Sequence, residues 1–206
     1  MTKIKITLTE FLNFVNKSGV AKATIVKTAR KRRETEDNPY FSDYWYILRN
    51  RIIEFHKKGK DIKFLDETLN HISKDRRSNY TRLIDGYKKF LKKNKIKYIT
   101  QIKKTWSIGD ISIALNPELT LEINEKIYVI KLYMSSNDHI DKRHANLIQN
   151  LLEHEMRSEV GGDGPIFAVL DVKRGKLLGQ NKKDISLYPL LKGEAQSFET
   201  MWKELE

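Results

Sequence analysis

The stretch ISIALNPELTLEINEKIYVIKLYM, Ile111 to Met134, constrains the fold of this chain more than any other. Three short β-type runs follow one another there, separated by turn signals at Asn116-Pro117 and at Asn124-Glu125-Lys126. They read as a three-stranded meander. The third run, Ile127 to Met134, is apolar or aromatic on both faces, as in a strand covered on both sides, and Lys131 is its one charge. A solitary charge in such a strand needs a structural or chemical reason. An amphipathic helix and a further strand, Ile166 to Lys173, come next. The expected class is therefore α+β: an N-terminal helical region followed by a mixed β-sheet core in the order β-β-β-α-β, flanked by helices.

The helical region, residues 1–98, reads as a series of amphipathic segments. Thr7-Leu8-Thr9-Glu10 fits a capping box that starts a first helix, with Phe11, Leu12 and Val15 as its stripe and Ser18-Gly19 as its stop. A second helix runs from about Val20 to Glu34. Asp37-Asn38-Pro39 signals a loop, and Ser42 or Asp43 can cap a third helix that ends at Gly59. Phe64, Leu65, Leu69 and Ile72 mark a short fourth. Tyr80, Leu83, Ile84, Tyr87, Phe90 and Leu91 keep the i, i+3, i+4, i+7 spacing of a fifth, with residues 75–79 as its connection. Residues 99–206 then hold the sheet core, a helix from Asp138 or His139 to about Ser158, a short partner strand Lys176 to Leu178, and a last helix marked by Phe198, Met201, Trp202 and Leu205. Residues 94–105 serve as the junction.

Charge separates the two halves. Residues 1–100 carry 25 Lys and Arg against 11 Asp and Glu, a balance of +14, whereas residues 101–206 carry 14 against 16, a balance of −2. A basic half joined to a nearly neutral one points to a polyanionic partner, DNA or RNA first, with an acidic protein partner as the alternative. Two clusters stand out as phosphate contacts. Arg30, Lys31, Arg32 and Arg33 close the second helix, where cations also suit the negative end of the helix dipole. Lys88, Lys89, Lys92 and Lys93 form the polar side of the fifth. The aromatic run Tyr40, Phe41, Tyr44, Trp45 and Tyr46 has helical spacing and is assigned to the core in preference to base stacking.

Other chemistries find little support. The chain has no cysteine, which removes disulfides, thiolate metal sites and cysteine nucleophiles. No apolar run approaches the ~18 residues of a membrane span, and MTKIKITLTEF has no apolar signal core, so a cytoplasmic protein without a membrane partner is expected. Gly161-Gly162-Asp163-Gly164 lacks phosphate-loop spacing and precedes a strand, so no nucleotide or organic cofactor is expected. His144, Glu153, His154 and Glu155 share one helix without the HExxH spacing and read as solvated residues.

The element order, with Pro117-Glu118 at the second run of the meander and Lys131 in the third, resembles the PD-(D/E)xK nuclease superfamily over roughly residues 78–178. The resemblance implies a Mg²⁺-dependent nuclease in which acids on adjacent strands hold the metal and the lysine assists the attacking water. Carried onto this chain, Glu118 is the first metal ligand and Lys131 the lysine. Val129 stands where the second acid belongs, which leaves Glu122 on the neighbouring strand as the carboxylate to replace it. A literal D-x-K occurs later, as Asp171-Val172-Lys173, with Asp163 as an earlier acid, but on the strand after the helix. The alternative is a catalytically inactive binding or regulatory module of the same fold, in which Lys131 lays its stem along apolar surface while its ammonium reaches water or a carboxylate such as Glu122.

Overall fold

The structure, a computed structural model, describes residues 3–35, 43–136, 139–160, 164–179 and 184–205. The loop signal at Asp37-Asn38-Pro39, the aromatics Tyr40 and Phe41, the cap Ser42, the helix start at Asp138 and the run Gly161-Gly162-Asp163 lie outside them.

The chain opens with a short strand, β1 (Ile4–Thr7), and its last residue is also the cap of α1 (Leu8–Val15). The expected capping box is present: Glu10 N–H donates to the Thr7 hydroxyl at 3.1 Å, and the Glu10 carboxylate accepts Thr7 N–H at 2.8 Å. Helix α2 (Val20–Thr35) follows, then α3 (Tyr46–Lys57), whose end is marked by Gly59 at φ +56°. A single helical turn, α4 (Lys63–Asp66), continues as a 3₁₀ turn over Glu67–His71. The fifth helix, α5 (Lys74–Lys92), begins about six residues before its apolar stripe does.

The strands are β2 (Ile96–Thr100), β3 (Lys104–Ile108), β4 (Ile111–Leu115), β5 (Leu119–Ile123) and β6 (Lys126–Tyr133). Helix α6 (Lys142–Val160) crosses to β7 (Ile166–Asp171), β8 (Lys176–Gly179) turns back from it, and α7 (Leu187–Glu204) closes the described chain. They build two sheets. One has the order β2-β5-β6-β7-β8, with β6 and β7 parallel across the α6 connection and its other neighbours antiparallel; the other has the order β1-β4-β3.

The α+β class and the leading helices hold, but the expected meander is corrected in its first strand. β4 leaves the larger sheet to pair in parallel with β1, Ile4 opposite Ile111, and antiparallel with β3. Pro117 follows Asn116 at this point; proline has no N–H for a ladder, and the chain changes sheets there. The vacated edge next to β5 is taken by β2, which lies in the stretch expected to be a junction.

The central strands of the larger sheet are covered on both faces. Leu121, Ile130, Leu132 and Leu170 pack against α3 and α5 through Leu48, Ile52, Leu83 and Tyr87. Val129, Phe167 and Val169 pack toward α6, α7 and the smaller sheet through Leu151, Phe198 and Ile113. Both cores draw side chains from before and after residue 98. One close approach fixes α5 on the sheet. A Cβ at Gly86 would lie 2.2 Å from the carbonyl oxygen of Val172 and 2.3 Å from that of Lys173, so the helix can touch the β7–β8 turn only without a side chain there. Gly175, at φ +62° in that turn, faces the Gly86 carbonyl from the other side.

Candidate functional site

Pairing between β5 and β6 starts with Leu119 opposite Ile130, so the preceding residue, Glu118, falls opposite Lys131. The two side chains meet. Lys131 Nζ donates to Glu118 Oε1 at 2.5 Å, and Leu132 N–H donates to Glu118 Oε2 at 2.7 Å. Lys131 Nζ also lies 3.4 Å from the Asn116 carbonyl oxygen. Glu118 is 3% exposed and the Lys131 side chain 17%. Arg49, from α3, brings its Nε within 3.3 Å of Glu118 Oε1. That nitrogen is buried without hydrogen-bond geometry, so its contribution is charge attraction; the other end of the guanidinium pairs with Asp43. One carboxylate therefore stands between two cations and a backbone donor. Burying these charges is costly, and the shared hydrogen bonds offset the cost only while both partners are present.

Glu122 does not join them. It lies four residues further along the same strand, about 13 Å at the rise of an extended chain. Its register partners are Lys97 and Ile127, and its nearest cation is Lys97 at 3.9 Å. Val129 is fully buried in the apolar core. Asp171 is buried and accepts the N–H of Arg174 at 3.2 Å, while Lys173 donates to the Ser136 carbonyl at 2.7 Å, so the D-x-K tripeptide shapes the β7–β8 turn. Asp163 lies outside the described residues.

The donor set was tested against Mg²⁺, which needs oxygen ligands converging on one point, commonly one or two carboxylates. Among the described residues no three His, Asp or Glu side chains converge on such a point. Of the two acids expected to hold it, Glu118 alone stands beside Lys131, and its two oxygens accept from Lys131 and Leu132.

The two basic clusters differ. Arg33 donates to both Glu10 oxygens, at 3.1 and 2.7 Å, and to the carbonyls of Lys5 and Ala29; its guanidinium lies over Trp202. Burial alone would raise the Glu10 carboxyl, but the Arg33 and Thr7 hydrogen bonds and the Arg33 charge outweigh it and hold the group below its usual value. Arg30 reaches the Leu205 carbonyl and Glu34, and Arg32 lies 3.8 Å from Glu10. These arginines fasten α2 to β1, α1 and the end of α7. On α5, Lys88 is held by both oxygens of Asp66, at 2.5 and 2.6 Å. Lys89, Lys92 and Lys93 are exposed, as is Lys95 just beyond, and their ammonium groups have no partner among the described residues.

Two further groups emerge that the sequence reading had not singled out. Arg49 follows Leu48 on α3, and nothing in helical spacing ties it to a strand-end carboxylate. His56 lies one turn after Ile52 at the edge of the inward stripe, a spacing that marks it as half-buried. Its Nε2 shares a hydrogen bond with the Tyr87 hydroxyl at 2.5 Å. Burial lowers its pKa to about 4 and pushes the Tyr87 hydroxyl upward. His144 is half-buried, which lowers its pKa against the pull of Asp141, whereas His154 is exposed as expected and stacks on Tyr188.

No family model matches the chain, and neither a curated protein nor a solved structure does.

Proposed function

We propose that this chain binds nucleic acid through the lysine surface at the end of α5 and the start of β2, on a core that resembles the PD-(D/E)xK nucleases and works without catalysis. The observation that carries the reading is the contrast between the clusters. The arginines at the end of α2 are engaged within the fold, whereas Lys89, Lys92, Lys93 and Lys95 extend into solvent with unpaired charges. Cations that stabilise nothing internally are available to displace counterions from phosphates. Glu118 and Lys131 then act as a strut between β5 and β6.

The test is binding of single- and double-stranded DNA and RNA, followed by fluorescence anisotropy at about 50 mM salt, the low end of the range over which phosphate contacts dominate. Binding without cleavage in Mg²⁺ or Mn²⁺ is expected. Absence of binding to every one of these substrates overturns the proposal. Metal-dependent cleavage that vanishes in a folded Glu118→Gln variant would instead establish the nuclease reading.

A further inference from the structure

Resting on that reading, we infer that the open cleft where α3 and α5 end beside β2 receives one unstacked base of a single strand. The cleft measures about 460 Å³ and is lined by Phe55, His56, Lys60, Leu91, Ile96 and Tyr98, among others. Its size falls within the ~300–1,000 Å³ of small-ligand sites. Phe55 and Tyr98 back onto the core of α3, α5 and the larger sheet, yet each keeps part of its ring in solvent. Two polar atoms accompany the rings. The Tyr98 hydroxyl and His56 Nδ1 make no hydrogen bond among the described residues, and the His56 ring, neutral near pH 7, is held by Tyr87 through its other nitrogen. An exposed aromatic ring face with one or two polar edge partners is what a nucleobase uses.

The surrounding charge selects the occupant. Lys60 stands on the rim, Lys92 and Lys93 lie between the lining residues Leu91 and Asn94, and Lys95 and Lys97, on either side of Ile96, line an adjoining groove. Ile96 is shared with that groove, which also holds Glu122 and Glu125, of which Glu122 faces Lys97. The cations outnumber these acids. Phosphates on both sides of a docked base would meet the lysines, whereas a duplex keeps its bases stacked and gives the cleft nothing to receive.

The experiment compares the full chain with an oligothymidine of about 12 nucleotides, a length within the usual single-strand site sizes, and with an abasic oligomer of equal length that keeps the phosphates. Wild type should prefer the base-bearing oligomer by about 5- to 150-fold, the range of one base–aromatic stack. Tyr98→Leu and Phe55→Leu, which keep apolar volume and whose folding is verified by melting, should remove that preference and leave abasic binding and its salt dependence unchanged. Equal affinity for the two oligomers, or a preference that survives both substitutions, overturns the cleft while leaving phosphate binding intact. Binding of neither oligomer overturns the nucleic-acid reading itself.

Discussion

Glu118→Gln separates a strut from a catalytic group. The substitution keeps the size of the side chain and a carbonyl oxygen able to accept from Lys131 or Leu132, and it removes the charge. Lys131 then stays 17% exposed with no counter-charge at 2.5 Å, and Arg49, 26% exposed, keeps only Asp43. Breaking a buried pair by removing one partner costs about 3–5 kcal/mol. The retained oxygen and the residual solvent around both cations lower this to about 2–3 kcal/mol, close to the worth of a charge-assisted hydrogen bond. For a chain of this size the expected fall in Tm is about 4–12 °C. Calorimetry or circular dichroism at pH 7 measures it. Lys131→Met combined with Glu118→Leu should recover at most part of the loss, because the orphaned Leu132 N–H still costs about 1–3 kcal/mol. A Glu118→Gln variant with an unchanged or raised Tm would refute the strut, since removing a strained catalytic carboxylate leaves stability intact or improves it.

His56 gives the fold a pH dependence. Its folded pKa of about 4 lies below the ordinary 6.5, so the half-buried ring is neutral and its contribution is complete above about pH 6.5. Stability should be lost as pH falls through this window, by about 3 kcal/mol at pH 4. Urea unfolding of wild type and His56→Gln between pH 7.5 and 4 isolates the effect, and parallel curves would show that His56 is not responsible. Gly86→Ala should destabilise by at least about 1 kcal/mol, because overpacking against the backbone at Val172 and Lys173 outweighs the ~1 kcal/mol gained in helix propensity. A more stable Gly86→Ala would mean that α5 does not approach the β7–β8 turn as closely as described.

Local rules carried much of this fold and little of its pairing. The Thr7–Glu10 box, the apolar stripe of α5 and the β7–β8 hairpin around Gly175 depend on residues close in sequence and were legible. β1 was not, because four residues ahead of a capping box offer too short an alternation to read. β4 looked like part of the meander because a run of Ile and Leu is equally apolar in either sheet; its partner, β1, lies about a hundred residues away. Within the site, the lone charge of Lys131 in an apolar strand did signal a partner, and strand register supplied Glu118. Glu122 failed on geometry that the sequence already contained, since four residues of extended chain separate it from Glu118 by far more than a shared ion allows. The fate of the α2 arginines was hidden, because their acceptors are Glu10 and the carbonyls of Lys5 and Leu205, reached only once the chain has folded.

The most direct test of the binding surface is the salt dependence of affinity for a single-stranded oligonucleotide, measured for wild type, for Lys89, Lys92, Lys93 and Lys95 replaced together by Ala, and for Arg30 and Arg33 replaced together by Ala. Each phosphate neutralised contributes about 0.7 to the slope of log affinity against log salt on a single strand. The lysine variant should keep its Tm and lose up to about 2.8 of that slope, whereas the arginine variant should lose stability and, below its melting temperature, keep the wild-type slope. A slope that falls with the arginines and persists without the lysines would contradict the account.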